Sequence, residues 1–166
     1  VELLTHSATV NHGGGLRKEQ EFVYANPVHW VSHLYANLPE SCVVRSVTST
    51  PTFAADIQNI AQGTDFPLLD VIALQTSARD RLILLVINRH PTDAIQAEVE
   101  IDGFVPTGQA EIQTVAGDSY MAKNTRQAPD SVRLECETFP TTGPIFHIAF
   151  QPHSVTALSL PGTAGE

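Results

Sequence analysis

An acidic chain invites a search for paired carboxylates first. Glu98, Glu100 and Asp102 recur at every second position. On a strand that spacing puts all three on one face. A glycosidase pair needs two carboxyls on opposite sides of one bond, held about 5–10 Å apart. Three carboxylates in a row on one face read instead as a solvated sheet surface. The seven histidines come next: His6, His12, His29, His33, His90, His147 and His153. His29 and His33 stand four apart on a candidate helix, a spacing that can hold a metal ion. The Glu of a zincin motif is missing between them, and no third ligand stands at a telling distance. No metal site is assigned.

His12 beside Gly13 and Gly14 looks like an oxyanion loop, but the Gly-x-Ser-x-Gly elbow that would carry the nucleophile is absent. Gly13-Gly14-Gly15 also lacks the Lys-Ser/Thr of a phosphate loop, so neither a nucleotide nor any other cofactor is expected. A sugar-stacking platform needs exposed aromatics. One Trp and three Tyr are available, and Trp30 falls on the candidate helix. The two cysteines, Cys42 and Cys136, sit in separate alternating stretches. They read as free, mostly buried thiols, which fits a cytoplasmic protein.

The elements that must position these residues are organised around Arg81–His90, the longest apolar run. Leu82 to Ile87 is uninterrupted and apolar, as expected of a strand buried on both faces. A membrane span would need about 20 residues, so no membrane is implicated. The net charge is −9 with only 9 Lys and Arg. A nucleic-acid surface needs clustered basic residues, so nucleic acid is not an expected partner either. Val1-Glu2-Leu3-Leu4 shows no Met and no signal-peptide pattern, and the chain is expected to begin inside a longer protein.

Taken in order, Leu3–Val10 reads as a strand, Asn11–Gly15 as a turn and Arg17–Glu21 as a charged loop. Asn26-Pro27 opens a helix whose apolar face is Val28, Val31, Leu34, Tyr35 and Leu38, ended by Pro39. Nothing nearby in the sequence can cover that face, which suggests a domain boundary near Pro39. Strands follow at Cys42–Thr50, Leu68–Thr76, Arg81–His90, Ile95–Ile101, Gln109–Val115, Ser131–Phe139, Ile145–Phe150 and Ser154–Leu160. Ala54–Asp65 is expected to be a loop and Pro161–Glu166 a frayed tail. About eight short strands with regular turns predict a mainly β fold, an antiparallel jelly-roll-type sandwich.

Several stretches, in order, resemble the C-terminal region of glycoside hydrolase family 51 α-L-arabinofuranosidases. They are Leu82–Arg89, Glu98–Phe104, Gly117-Asp118, Ala122-Lys123-Asn124-Thr125, Ala128-Pro129 and Pro152–Leu158. Thr9-Val10-Asn11 and Val23–Pro27 with the following helix resemble that family's last barrel strand and helix. The resemblance implies that residues 1–39 are the last βα unit of a (β/α)8 barrel, 40–161 the C-terminal β-sandwich and 162–166 a tail. It implies a parent that hydrolyses terminal α-L-arabinofuranosyl groups with retention, using two glutamates on earlier barrel strands. No catalytic residue is therefore assigned in this chain. The family often places a Gln before Leu-Val-Asn; here Ala8 precedes Thr9-Val10-Asn11. His6, Asn11 and His12 are the remaining candidates for substrate contact. The implied partners are the remainder of the catalytic barrel and an arabinose-containing oligo- or polysaccharide. The family's sandwich also tends to borrow a strand from the protein's N-terminus. Without it, an open edge could support a homo-oligomer. The alternative is a non-catalytic β-sandwich module that binds carbohydrate or protein.

Overall fold

The computed structural model describes residues 9–55, 63–141 and 143–165. Among them, one helix and thirteen strands follow in this order. The strands β1 (Leu16–Glu19) and β2 (Phe22–Ala25) precede helix α1 (Pro27–Ala36). Then come β3 (Ser41–Val44), β4 (Thr52–Ala55), β5 (Gly63–Pro67), β6 (Leu69–Thr76) and β7 (Arg81–Asn88). The remainder are β8 (Ile95–Glu100), β9 (Phe104–Pro106), β10 (Gln109–Ala116), β11 (Arg133–Pro140), β12 (Ile145–Phe150) and β13 (Ser154–Ala164).

The main sheet runs β11-β10-β13-β7-β6-β3, with β9 joined to the far end of β13. All of these pairings are antiparallel. β7 lies between β13 and β6 and is buried on both faces, as its composition predicts. Leu82, Leu84 and Val86 point to one face and join Leu69, Ala73, Leu158 and Leu160. Ile83 and Leu85 point to the other and join Val115 and Ala157. A period of two with an apolar environment on each side is what allows the uninterrupted run. The first face is closed by a second layer, the β8–β12 pair, through Phe146, Phe150, Ile95, Ala97 and Val99. A Phe, Ile or Val side chain contributes about 1.5–3 kcal/mol when fully buried. The result is the mainly β antiparallel sandwich that the sequence predicts.

Helix α1 covers the outer face. Asn26 takes the N-cap position with extended backbone (φ −80°, ψ 160°), and Pro27 opens the helix. Trp30, Val31, Leu34 and Leu38 pack onto Ile83, Leu85, Val115, Val132 and Ala157. Leu34 is 1% exposed. Two residues expected on this face are not covered: Val28 and Tyr35 are 37% and 39% exposed. The helix also ends earlier than expected, at Ala36. There the Asn37 backbone N–H and side-chain amide both bond to the His33 carbonyl.

Other expectations are corrected by the structure. Arg17–Glu21 is no open loop: β1 and β2 form a hairpin with Gln20-Glu21 at its turn. Gln20 sits at φ 56°, where a glycine would have signalled the turn. Both ends of Ala54–Asp65 are strand rather than loop, since β4 and β5 form a second hairpin with a register shift between Phe53 and Ala55. Its centre, 56–62, lies outside the described residues. β3 stops at Val44, well short of Thr50. β9, three residues ending in proline, was too short to signal a strand. It pairs with Gly162–Ala164, so the presumed tail is the end of β13. Gly162 is required there, because a Cβ would lie 2.3 Å from the Val105 carbonyl oxygen. Both cysteines are exposed rather than buried. Cys42 lies on β3 and Cys136 on β11, the two outermost strands of the main sheet. Most of the expected strand Leu3–Val10 lies outside the described residues; Val10 makes one parallel bridge to Leu16. Among the described residues no helix is long and apolar enough to cross a membrane.

Candidate functional site

Thr9–Gly15 carries two of the three candidate residues. Asn11 and His12 both have left-handed backbone, φ 56° and 48°, followed by Gly13 at φ 89°. That conformation costs a non-glycine residue about 1–2 kcal/mol, less for Asn, so the turn needs support. Hydrogen bonds supply it. Asn11 N–H donates to the Leu16 carbonyl at 2.8 Å, Leu16 N–H to the Thr9 carbonyl at 3.0 Å and Gly14 N–H to the Asn11 carbonyl at 2.7 Å. Lys18 N–H donates to Asn11 Oδ1 at 2.9 Å. Asn26 closes the other side, its Nδ2 donating to the Gly14 carbonyl at 2.9 Å. The Asn11 side-chain oxygen is thus committed to the turn, and its amide N–H groups have no acceptor among the described residues. His12 is exposed beside it. His6 and Ala8 lie outside the described residues.

One buried residue joins this segment to the sandwich. Asn124, 5% exposed, donates from Nδ2 to the Ala25 carbonyl at 2.9 Å and the Val132 carbonyl at 2.7 Å. Its Oδ1 accepts from Val132 N–H at 2.7 Å. Nearby, the Tyr24 hydroxyl donates to Glu19 Oε1 at 2.7 Å. That hydrogen bond, aided by burial, holds the Tyr24 phenol above its ordinary pKa. Between the β1–β2 hairpin and the Lys123–Gln127 loop lies a cleft of about 460 Å³. Arg17, Glu19, Lys123, Thr125, Arg126 and Gln127 are among its walls; Asn11 and His12 are not.

The other candidates separate from this region. His29 and His33 stack at 6.2 Å between ring centroids, with Trp30 edge-on to both. Among the described residues no group of three or more His, Cys, Asp or Glu could hold a metal ion. Glu98 and Glu100 face solvent from β8, and Glu98 lies 3.5 Å from His147 on the paired strand. Both partners of that pair are exposed, which makes it worth about 0–1 kcal/mol at most. Asn88-Arg89-His90 forms the polar exit of β7: Asn88 holds the carbonyls of Asp93, Phe150 and Gln151. Lys123 stands in one of the stretches that resemble the family, but nothing in the sequence joins it to Arg17 or Arg126. Arg17 and Arg126 meet only through the tertiary fold, and their spacing matches no motif.

The sequence profile of the alpha-L-arabinofuranosidase C-terminal domain matches residues 5–154. No curated protein sequence matches the chain. Among solved structures, the Thermotoga maritima α-L-arabinofuranosidase in complex with arabinose is similar at a TM-score of 0.81. It is 22% identical over 92% of this chain and 32% of its own. The thermostable GH51 α-L-arabinofuranosidase of Thermotoga petrophila RKU-1 gives 0.79 and 22%, over 90% of this chain and 32% of its own. The GH51 arabinofuranosidase of Xanthomonas axonopodis pv. citri gives 0.73 and 17%, over 89% and 28%. At these identities the likeness establishes the fold. The chain spans about a third of the length of the structures it matches.

Proposed function

The chain belongs to the alpha-L-arabinofuranosidase C-terminal domain family, and we propose that it is the C-terminal part of a retaining family 51 α-L-arabinofuranosidase. The observation that carries this reading is the family match from residue 5 to residue 154, across the N-terminal turn, the helix and the sandwich. On this reading the parent removes terminal non-reducing α-L-arabinofuranosyl groups from arabinose-containing oligo- or polysaccharides by double displacement. Its acid/base and nucleophilic glutamates belong to barrel strands outside this chain. The segment up to about Pro39 completes the barrel, and the strands after it form the sandwich.

Asn11 and His12 then stand at the C-terminal end of the last barrel strand, the end where barrel enzymes bind substrate. Their role is to contact the arabinofuranosyl ring. The exposed Val28 and Tyr35 supply a surface for the rest of the barrel. The test is hydrolysis of 4-nitrophenyl α-L-arabinofuranoside. This chain alone releases no nitrophenol, whereas the parent does. His12→Ala in the parent lowers kcat/KM. Release of nitrophenol by this chain alone refutes the reading, and unchanged kcat/KM removes His12 from the site.

A further inference from the structure

We infer that the cleft between the β1–β2 hairpin and the Lys123–Gln127 loop binds a carboxylated sugar, a free uronic acid or a uronosyl unit. The chain carries −9 net charge and 9 Lys and Arg in all. Three of those cations, Arg17, Lys123 and Arg126, line this one cleft against a single carboxylate, Glu19. Glu19 accepts the Tyr24 hydroxyl at 2.7 Å. The ion pairs among the described residues are made by Arg89, His90, Arg133 and His147, so none of the three cations is paired with a carboxylate there. An unpaired cationic cluster on an otherwise acidic surface favours an anion in the cleft.

The polar groups beside the cations point to a sugar. Asn124 has both amide N–H donors committed to backbone carbonyls and Asn26 has one committed to Gly14, and both act as walls. Thr125 Oγ1 accepts from Ala128 N–H at 3.1 Å, which leaves its own proton free to donate. Gln127 adds an amide. Arg126 Nη1 donates to Gln20 Oε1 at 3.4 Å, a contact between the two walls that leaves most of its donors unused. A guanidinium fork grips a carboxylate bidentately, and the hydroxyl and amide suit ring hydroxyls. The volume, about 460 Å³, falls in the range of about 300–1,000 Å³ typical of small-ligand sites.

Calorimetric titration of this chain with D-glucuronate, D-glucose and inorganic phosphate tests the inference. Glucuronate is expected to bind in the millimolar range and to weaken as salt is raised, with no heat from glucose and weaker binding of phosphate. Lys123→Ala and Arg126→Gln each reduce the affinity about tenfold, the loss of one charge-assisted contact. Arg133→Gln, outside the cleft, changes nothing, and thermal melts confirm that each variant is folded. Absence of glucuronate binding, or the same affinity in the Lys123 and Arg126 variants, overturns the inference. Glucose binding as well as glucuronate, or phosphate binding as tightly, overturns it too. The readout is binding to this chain alone, so its failure leaves the proposed hydrolase role untouched, and the reverse also holds.

Discussion

Replacing Asn88 by Ala is expected to destabilise the sandwich by about 3–4 kcal/mol. Asn88 is 1% exposed at the end of β7. Its Nδ2 reaches the carbonyls of Asp93 at 3.1 Å, Phe150 at 3.1 Å and Gln151 at 2.9 Å. Its Oδ1 accepts from His90 N–H at 2.9 Å. Two protons shared among three carbonyls, plus one accepted bond, amount to about three net hydrogen bonds at about 1 kcal/mol each. The vacated volume adds a further fraction. The assay is urea unfolding followed by tryptophan fluorescence and far-UV circular dichroism, with an unchanged m-value. The control is Arg89→Ala, next in sequence but exposed and paired with Asp70, where the loss should stay below about 1 kcal/mol. Asn88→Asp sharpens the reasoning. A carboxylate among three carbonyl oxygens is held protonated, so its pKa rises in the folded state. The stability of that variant is therefore retained at low pH and lost as pH rises through the raised value. An Asn88→Ala loss under about 1 kcal/mol, or an Asn88→Asp variant insensitive to pH between 4 and 8, would refute the account.

Three further outcomes are expected. Asn124→Ala removes both bonds to Val132 and the bond to Ala25, lowering stability by about 3 kcal/mol and speeding hydrogen exchange in the β1–β2 hairpin; protection equal to wild type would show that Asn124 does not anchor it. Tyr24 titrates above its ordinary value because Glu19 accepts its hydroxyl proton. Its contribution to stability is present below the unfolded pKa and lost as pH rises past the folded one. Glu19→Gln should lower the titration midpoint seen by ultraviolet difference absorbance. Cys42 and Cys136, both exposed, should react fully with a thiol reagent in the absence of denaturant; two protected thiols would contradict their placement on the sheet edges.

What could be read before the structure, and what could not, follows from where each signal resides. β7 announced itself because burial on both faces demands an unbroken apolar run, and β8 because one wet face demands alternation. The helix start was legible in Asn26-Pro27. Its covered face was misjudged at Val28 and Tyr35, because periodicity gives a stripe and the sheet decides its width. The β1–β2 hairpin was hidden by Gln20, which adopts positive φ where Gly would have been conspicuous. β9 and the end of β13 support each other only through pairing between distant residues, and no local pattern encodes that. Of the candidate site, the Asn11-His12 turn was visible as a glycine-flanked loop. The cleft was not, since Arg17 stands more than a hundred positions from Lys123 and Arg126 and the three meet only in the folded chain.

A structure of the whole polypeptide that contains Val1–Glu166 decides whether this chain completes a retaining arabinofuranosidase. The quantity to measure is the separation of two glutamate carboxyls on the barrel strands next to the Asn11-His12 turn. A separation of about 5–5.5 Å is expected, the spacing of a nucleophile and an acid/base that act with retention. A separation of about 6.5–9.5 Å, or no such pair beside the turn, would contradict it.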